Sequence, residues 1–326
     1  MTISRDAAVL SDELAGVPPE SGPSRRGVVG EVLRSRPAAI LGLVLLLLFV
    51  LMALFAPLLA PYSPTQQTGP VFQPPSAQHW LGTDDGGIDV LSELIYGART
   101  SLTVGFAAAL IATFIGGGVA ILAGYFGGKT DGILMRITDY FLVIPDLVLM
   151  IVVAAIWGPS TFHVIVVIGV LLWTGTARIV RSQVKSVRER VYVKRARSLG
   201  ASHRRIVFRH VLPQVAPLII ATTVLAIAIA IFDESALAFL GVGVTKTSWG
   251  TMLEFAYERS AVINHYWWTF VPPGLAIALV IVACYLIGQA IEDALNPRLR
   301  VSYLSVRNWR YLASPLRSRA KDEAAA

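Results

Sequence analysis

Apolar residues in this chain gather into long blocks separated by polar stretches, and six blocks come close to membrane-spanning length. A helix needs roughly 20 apolar residues to cross about 30 Å of hydrocarbon. Ala38–Ala60 and Thr100–Gly128 are uncharged over 23 and 29 residues. Tyr140–Gly158 carries one acid, Asp146; Thr161–Ala177, Val211–Phe232 and Tyr266–Ile291 carry none. Backbone amides cannot stay unpaired in lipid, so the blocks predict helices rather than open strands. The expected fold is an all-α integral membrane protein with six transmembrane helices.

Basic residues between the blocks set the orientation. With the N-terminus inside, 25 Lys and Arg fall on the cytoplasmic side and three outside, namely Arg99, Lys246 and Arg259. Basic residues resist translocation, so both termini are expected in the cytoplasm. The chain then divides into a cytoplasmic tail (1–37), a first span (38–60), an extracytoplasmic loop (61–99), a five-span core (100–291) and a second cytoplasmic tail (292–326). The core contains a basic cytoplasmic loop at 178–213. Residues 1–27 and Ala313–Ala326 are polar enough to expect disorder. The first block is longer than a signal-peptide core and lies behind 37 mostly polar residues, so a retained span is expected.

Composition sharpens this picture. Of 326 residues, 55% are hydrophobic and only 15% charged, with a mean hydropathy of +0.63, which excludes an ordinary globular domain. A net charge of +7 raises nucleic acid as a partner, but the sidedness of the charges points to a lipid bilayer instead. One cysteine, Cys284, excludes a disulfide scaffold or a multi-cysteine zinc site. The five histidines form no metal-ligand spacing, and no hydrolase motif occurs. Ala123–Thr130 fits a permissive phosphate-loop pattern, yet it follows a membrane block rather than a buried strand.

Inside the second block, Ala108, Ala112, Gly116, Ala120 and Gly124 form one row of small residues, and Gly105, Ala109, Thr113 and Gly117 a second. Such rows let helix backbones approach closely. They fit packing within one bundle, or sliding against a partner subunit. In the third block Asp139 and Asp146 are seven residues apart, so one helix would carry both on one face, with Asp139 pairing Arg136 and Pro145 kinking the helix. Asp146, Asp233 and Glu234 are candidates for a polar translocation path, the last two ending the fifth block at the outer mouth. Tyr266, Trp267 and Trp268 fit an aromatic belt, with the sixth helix proper starting at Pro272 and Pro273.

The loop Arg178–Pro213 carries the functional signal. Arg181–Leu199 lacks Gly and Pro and predicts a helix; Gly200 supplies its left-handed end, and Ser202 caps a second short helix, His203–Leu212, stopped by Pro213. Two short helices at an angle make a knob that a cytoplasmic partner could grip; the plainer alternative is a basic stretch on anionic lipid. The run Tyr192–Ser202 followed by Arg209-His210-Val211-Leu212-Pro213 resembles the EAA loop of ABC importer permeases, with Gly200, Leu212 and Pro213 in register and Lys194-Arg195-Ala196 in place of Glu-Ala-Ala. Leu54–Tyr62, His79–Asp84, Asp89–Ser92, Tyr96–Arg99, Phe239–Gly243, Ser248–Gly250 and Asp293–Arg298 are similar to the DppC/OppC type of subunit, over about residues 32–300.

That resemblance implies a type I ABC importer permease fold, no enzyme activity and no cofactor in this chain. It implies a second permease of the DppB/OppB type, two cytoplasmic ATPase subunits that hydrolyse ATP with Mg, and an extracytoplasmic substrate-binding protein, with no nucleic acid. It assigns ATPase coupling to Tyr192, Lys194, Arg195, Ala196, Ser198, Leu199, Gly200, Ala201 and Ser202. It places binding-protein docking on the outer loops, with Asp84, Asp85, Asp89 and Trp249 as candidates. The expected cargo is di- or oligopeptide, with nickel, glutathione, haem or a sugar as alternatives. A rival of another class is an ion-coupled secondary transporter using Asp139 and Asp146. Such folds often show inverted repeats, and none is found in the sequence.

Overall fold

The computed structural model describes residues 37–243 and 247–295. The expected disordered tails and Lys246 lie outside the described residues. Among the described residues no strand forms, and one isolated antiparallel bridge joins Thr83 to Asp89.

The first helix, α1 (Pro37–Leu54), breaks at Phe55 before the one-turn α2 (Ala56–Leu59). Pro57 lies at the start of α2, where its ring would clash with a preceding carbonyl had α1 continued. The long α3 (Val90–Phe126) is followed by α4 (Gly128–Val143), α5 (Asp146–Trp157), α6 (Thr161–Leu171) and α7 (Trp173–Arg188). Next come α8 (Val191–Ser198), α9 (His203–Ile206), a π turn at Val207–Val211 and α10 (Leu212–Phe239). The last described helices are α11 (Trp249–Glu258) and α12 (Trp267–Leu295).

Among the described residues, five helical runs are long and apolar enough to cross a bilayer: α1, α3, Thr161–Arg188, His203–Phe239 and Trp267–Ala294. The pair α4 and α5 passes the same length and composition test only when taken together, and it is bent by 82°. The expected kink at Pro145 is therefore a break: Ile144 and Pro145 are both extended, and Asp146 opens a new helix. Asp139 and Asp146 consequently lie on different helices and share no face. Pro272 and Pro273 lie inside α12, which begins earlier, at Trp267.

α3 is the central post, packed by α7 and α6 on one side and by α10 and α1 on others, while α12 packs on α10 and α1. At about 1.5 Å per residue its 37 residues span about 55 Å, well beyond the hydrocarbon thickness. Both small-residue rows turn inward. A Cβ on Gly116 would meet the Trp173 carbonyl at 2.5 Å and one on Gly124 would meet Val184 at 2.7 Å, so that row seats α7. A Cβ on Gly105 would lie 2.3 Å from Ile231, and Thr113 bonds Thr223 at 2.9 Å, so the second row seats α10. Both rows thus pack within the chain. By contrast Leu41, Val44, Leu47, Leu48 and Leu51 of α1 stay exposed, as residues facing lipid would.

Two helices outrun their apolar blocks. The fourth block was expected to end at Ala177, yet the helix runs on to Arg188 because Val180, Val184 and Val187 bury against the end of α3. Pro213 likewise does not stop its helix. It lacks the N–H for a regular bond, and the chain widens into the π turn just before it, then continues as α10.

Candidate functional site

The candidate coupling surface is built where α3, α4 and α7 end. Asp131, in the first turn of α4, accepts from Arg181 Nε, from Arg181 Nη2 at 2.7 Å and from Lys185 Nζ at 2.6 Å. Asp139, farther along α4, accepts from Arg178 at 2.5 Å rather than pairing with Arg136. Arg178, Arg181 and Lys185 follow helical spacing, so one face of α7 carries the whole clamp. A forked guanidinium on a carboxylate fixes orientation as well as distance. Arg188 Nη1 donates to the carbonyls of Gly124 and Tyr125 at 3.3 Å each, satisfying acceptors that the end of α3 leaves open.

On this base sits the knob. α8 closes with a paired C-cap: Gly200 N–H donates to Arg197 O at 3.0 Å and Ala201 N–H to Ala196 O at 3.1 Å. That cap requires a left-handed residue, and Gly200 has φ +78°. Ser202 then accepts from Arg205 N–H to start α9. Val193 and Ile206 are fully buried with Val180, Val184, Val187, Val211 and Val215, which roots both short helices in the ends of α7 and α10. Tyr125, buried at the end of α3, bonds His203 Nδ1 at 2.9 Å and receives the Arg197 guanidinium over its ring at 5.5 Å.

The residues expected to couple lie mostly on the outer face of the knob. Tyr192, Lys194, Arg195, Ser198, Leu199, Gly200 and Ser202 are exposed, and Ala196 and Ala201 half-buried. Leu199 is 87% exposed, a large apolar side chain in a segment where Arg190, Lys194, Arg195, Arg204 and Arg205 are exposed as well. Sequence reasoning missed the inner supports Tyr125, Asp131, Val193 and Ile206. The valine spacing in Val180–Val187 and the acid opening the helix after Gly127-Gly128 were the readable signals. Ala123–Phe126 is the last turn of α3, so the phosphate-loop pattern lies on a helix end and lacks the strand such a loop follows.

The three path candidates separate. Asp146 is exposed at the start of α5, close enough to half-buried Asp233 for their charges to repel. Glu234 does not join them. α10 continues past it to Phe239, and Glu234 is fully buried, accepting from Ser101 Oγ at 2.9 Å. Ser101 in turn accepts from Trp249 N–H at 3.3 Å, so Glu234 ties α3 to α10 and α11.

Two of the four docking candidates are also interior. Asp89 is 1% exposed: one carboxylate oxygen accepts from His79 Nδ1 at 2.9 Å, the other caps α3 through Ser92 N–H and Oγ at 2.9 and 2.8 Å. Trp249 is fully buried, donating from Nε1 to Leu94 O at 3.0 Å and meeting Phe49 edge-on at 5.6 Å. Both hold the outer loop onto the bundle, as does Trp268 Nε1 bonding Thr83 O at 3.1 Å. Asp84 and Asp85 are half-buried. Asp84 accepts from Gly86 and Ile88 N–H at 2.9 and 2.7 Å, while burial pushes its carboxyl above the usual carboxylate range. Asp85 pairs with Arg259 at 3.1 Å.

Residues 116–301 match the family model for the binding-protein-dependent transport system inner membrane component, and residues 28–75 that for the N-terminal TM domain of oligopeptide transport permease C. The chain is 38% identical to the dipeptide transport system permease protein DppC of Alkalihalophilus pseudofirmus, over 82% of this chain and 88% of that one. It is 36% identical to the oligopeptide transport system permease protein OppC of Bacillus subtilis, with the same coverage. A probable D,D-dipeptide transport system permease protein, DdpC of Escherichia coli, is 35% identical over 89% of this chain and 98% of its own.

Proposed function

We propose, from the premise that this chain belongs to the family of binding-protein-dependent transport system inner membrane components, that it is a peptide-carrying permease subunit of an ATP-driven importer. The observation that carries the coupling role is the knob at 191–206, braced onto three helix ends and leaving Tyr192 and Leu199 exposed. A rigid protrusion moves as one body with the helices that hold it, which a motor needs in order to push on a membrane domain.

In this reading two cytoplasmic ATPase subunits grip the knob and its counterpart on a sister permease, and they hydrolyse ATP with Mg. Closure of the ATPase pair drags α8 and α9, and the clamp at Asp131 and the Arg188 bonds pass that rotation to α3, α4 and α7. The chain spans the plasma membrane with both termini inside, as the basic-residue bias favours. An extracytoplasmic binding protein delivers peptide to the outer cap, where Asp84 and Asp85 are partly exposed. Asp146 and Asp233 line the path between the sister permeases; a peptide's cationic amino terminus is the complementary charge. The relatives' names support peptide as cargo.

The test is a transporter reconstituted with its ATPase and binding protein. Cysteine placed by Leu199→Cys should cross-link to the ATPase, and peptide uptake should require ATP. Cross-linking to lipid alone, or uptake driven by an ion gradient without ATP, would refute the reading.

A further inference from the structure

Between the outer halves of α1 and α3 runs a groove of about 330 Å³. Val50, Ala53 and Leu54 of α1 form one wall, and Arg99, Thr103 and Phe106 of α3 the other. Each set follows helical spacing, so each is a single helix face. Thr103 donates its hydroxyl to Arg99 O at 2.6 Å within its own helix, leaving its methyl for the groove. The trough is thus apolar apart from one end, where Arg99 is exposed. Phe106 lies about 10 Å farther along the axis.

Arg99 makes no ion pair among the described residues. The other described basic residue expected on the outer side, Arg259, is already held by Asp85. Leu54, at the groove's edge, is 68% exposed, and Leu47, Leu48 and Leu51 of the same helix are exposed too. An apolar trough open to the hydrocarbon, with one unpaired guanidinium at the boundary where the uncharged stretch begins, complements a chain with an anionic head. A guanidinium takes phosphate oxygens bidentately, the geometry that a phospholipid headgroup offers. We propose that this groove binds an anionic phospholipid, its acyl chain along Ala53, Thr103 and Phe106 and its phosphate on Arg99. The lipid would staple α1 to α3, independently of what cargo the transporter carries.

The test uses the assembled transporter in vesicles of phosphatidylcholine with a minor share of phosphatidylglycerol, followed by native mass spectrometry of lipids retained on this chain. Phosphatidylglycerol should be retained about fivefold over phosphatidylcholine, the preference expected of one interfacial arginine. Arg99→Gln should erase the preference and Arg99→Lys keep most of it. Thr103→Phe, which leaves the charge in place but fills the trough, should reduce retention of both lipids. Equal retention of the two lipids, or a preference that survives Arg99→Gln, would overturn the proposal. So would glycerol phosphate competing as well as whole lipid, or a cross-link from Leu54→Cys to a neighbouring protein chain, because a headgroup-only site or a subunit contact would then explain the groove.

Discussion

Replacing Gly200 separates backbone geometry from every other property of the knob. Its φ of +78° is left-handed, and a Cβ there would meet nothing within 4 Å. Gly200→Ala therefore adds no clash; its cost is the left-handed backbone alone, about 1–2 kcal/mol. That raises the fraction of knobs with an opened C-cap about 5- to 30-fold. Hydrogen exchange at the amides of residue 200 and Ala201 should quicken by that factor, since both lie in the cap. Gly200→Pro goes further: φ is fixed near −65° and the N–H that bonds Arg197 O is gone, so the cap cannot form. Membrane insertion should be unaffected, while substrate-stimulated ATP hydrolysis and uptake should be lost in the reconstituted transporter. Gly200→Asn, which tolerates left-handed geometry better, should fall between wild type and Ala. Unchanged exchange in Gly200→Ala, or full coupling in Gly200→Pro, would refute the argument that this cap shapes the lever.

Other substitutions test the rest of the frame. Gly116→Ala should lower thermal stability in detergent by about 1–3 kcal/mol, because its Cβ meets the Trp173 backbone oxygen, whereas Gly118→Ala, which faces open space, should not. Ser101→Ala should cost about 1–3 kcal/mol by removing the partner of both Glu234 and Trp249 N–H, read from the same melting curves. Asp131→Asn should weaken coupling more than Asp139→Asn in an ATP-per-peptide assay. The Asp139–Arg178 pair is half-exposed on both sides, and such pairs contribute little. Asp146→Asn should alter peptide uptake without altering basal ATP hydrolysis; unchanged uptake would remove it from the path.

Some features were readable because one residue type has one physical use. Gly200 and Ser202 announce a helix end and a helix start whatever surrounds them, and both do so here. The alanine and glycine rows in α3 announce close packing, although only the structure names α7 and α10 as the two partners. Other features depended on distant residues. Asp89 and Trp249 read as surface groups from their place in a polar loop. They are buried because His79 comes to Asp89 across the loop, and Leu94 and Ser101 come to Trp249 from α3. Asp139 sought its nearest basic neighbour in sequence and found Arg178 instead.

Sequence reading was enough to tell that this chain enters a bilayer and how many times its apolar blocks approach crossing length. Those follow from desolvation, which acts on each residue and each backbone amide locally. Only the packed structure settled that α4 and α5 meet at 82°, that Glu234 is buried while Asp146 is exposed, and which helix ends carry the knob. Those are properties of pairs far apart in the chain, and their geometry is set only when helices with several possible neighbours settle on one packing.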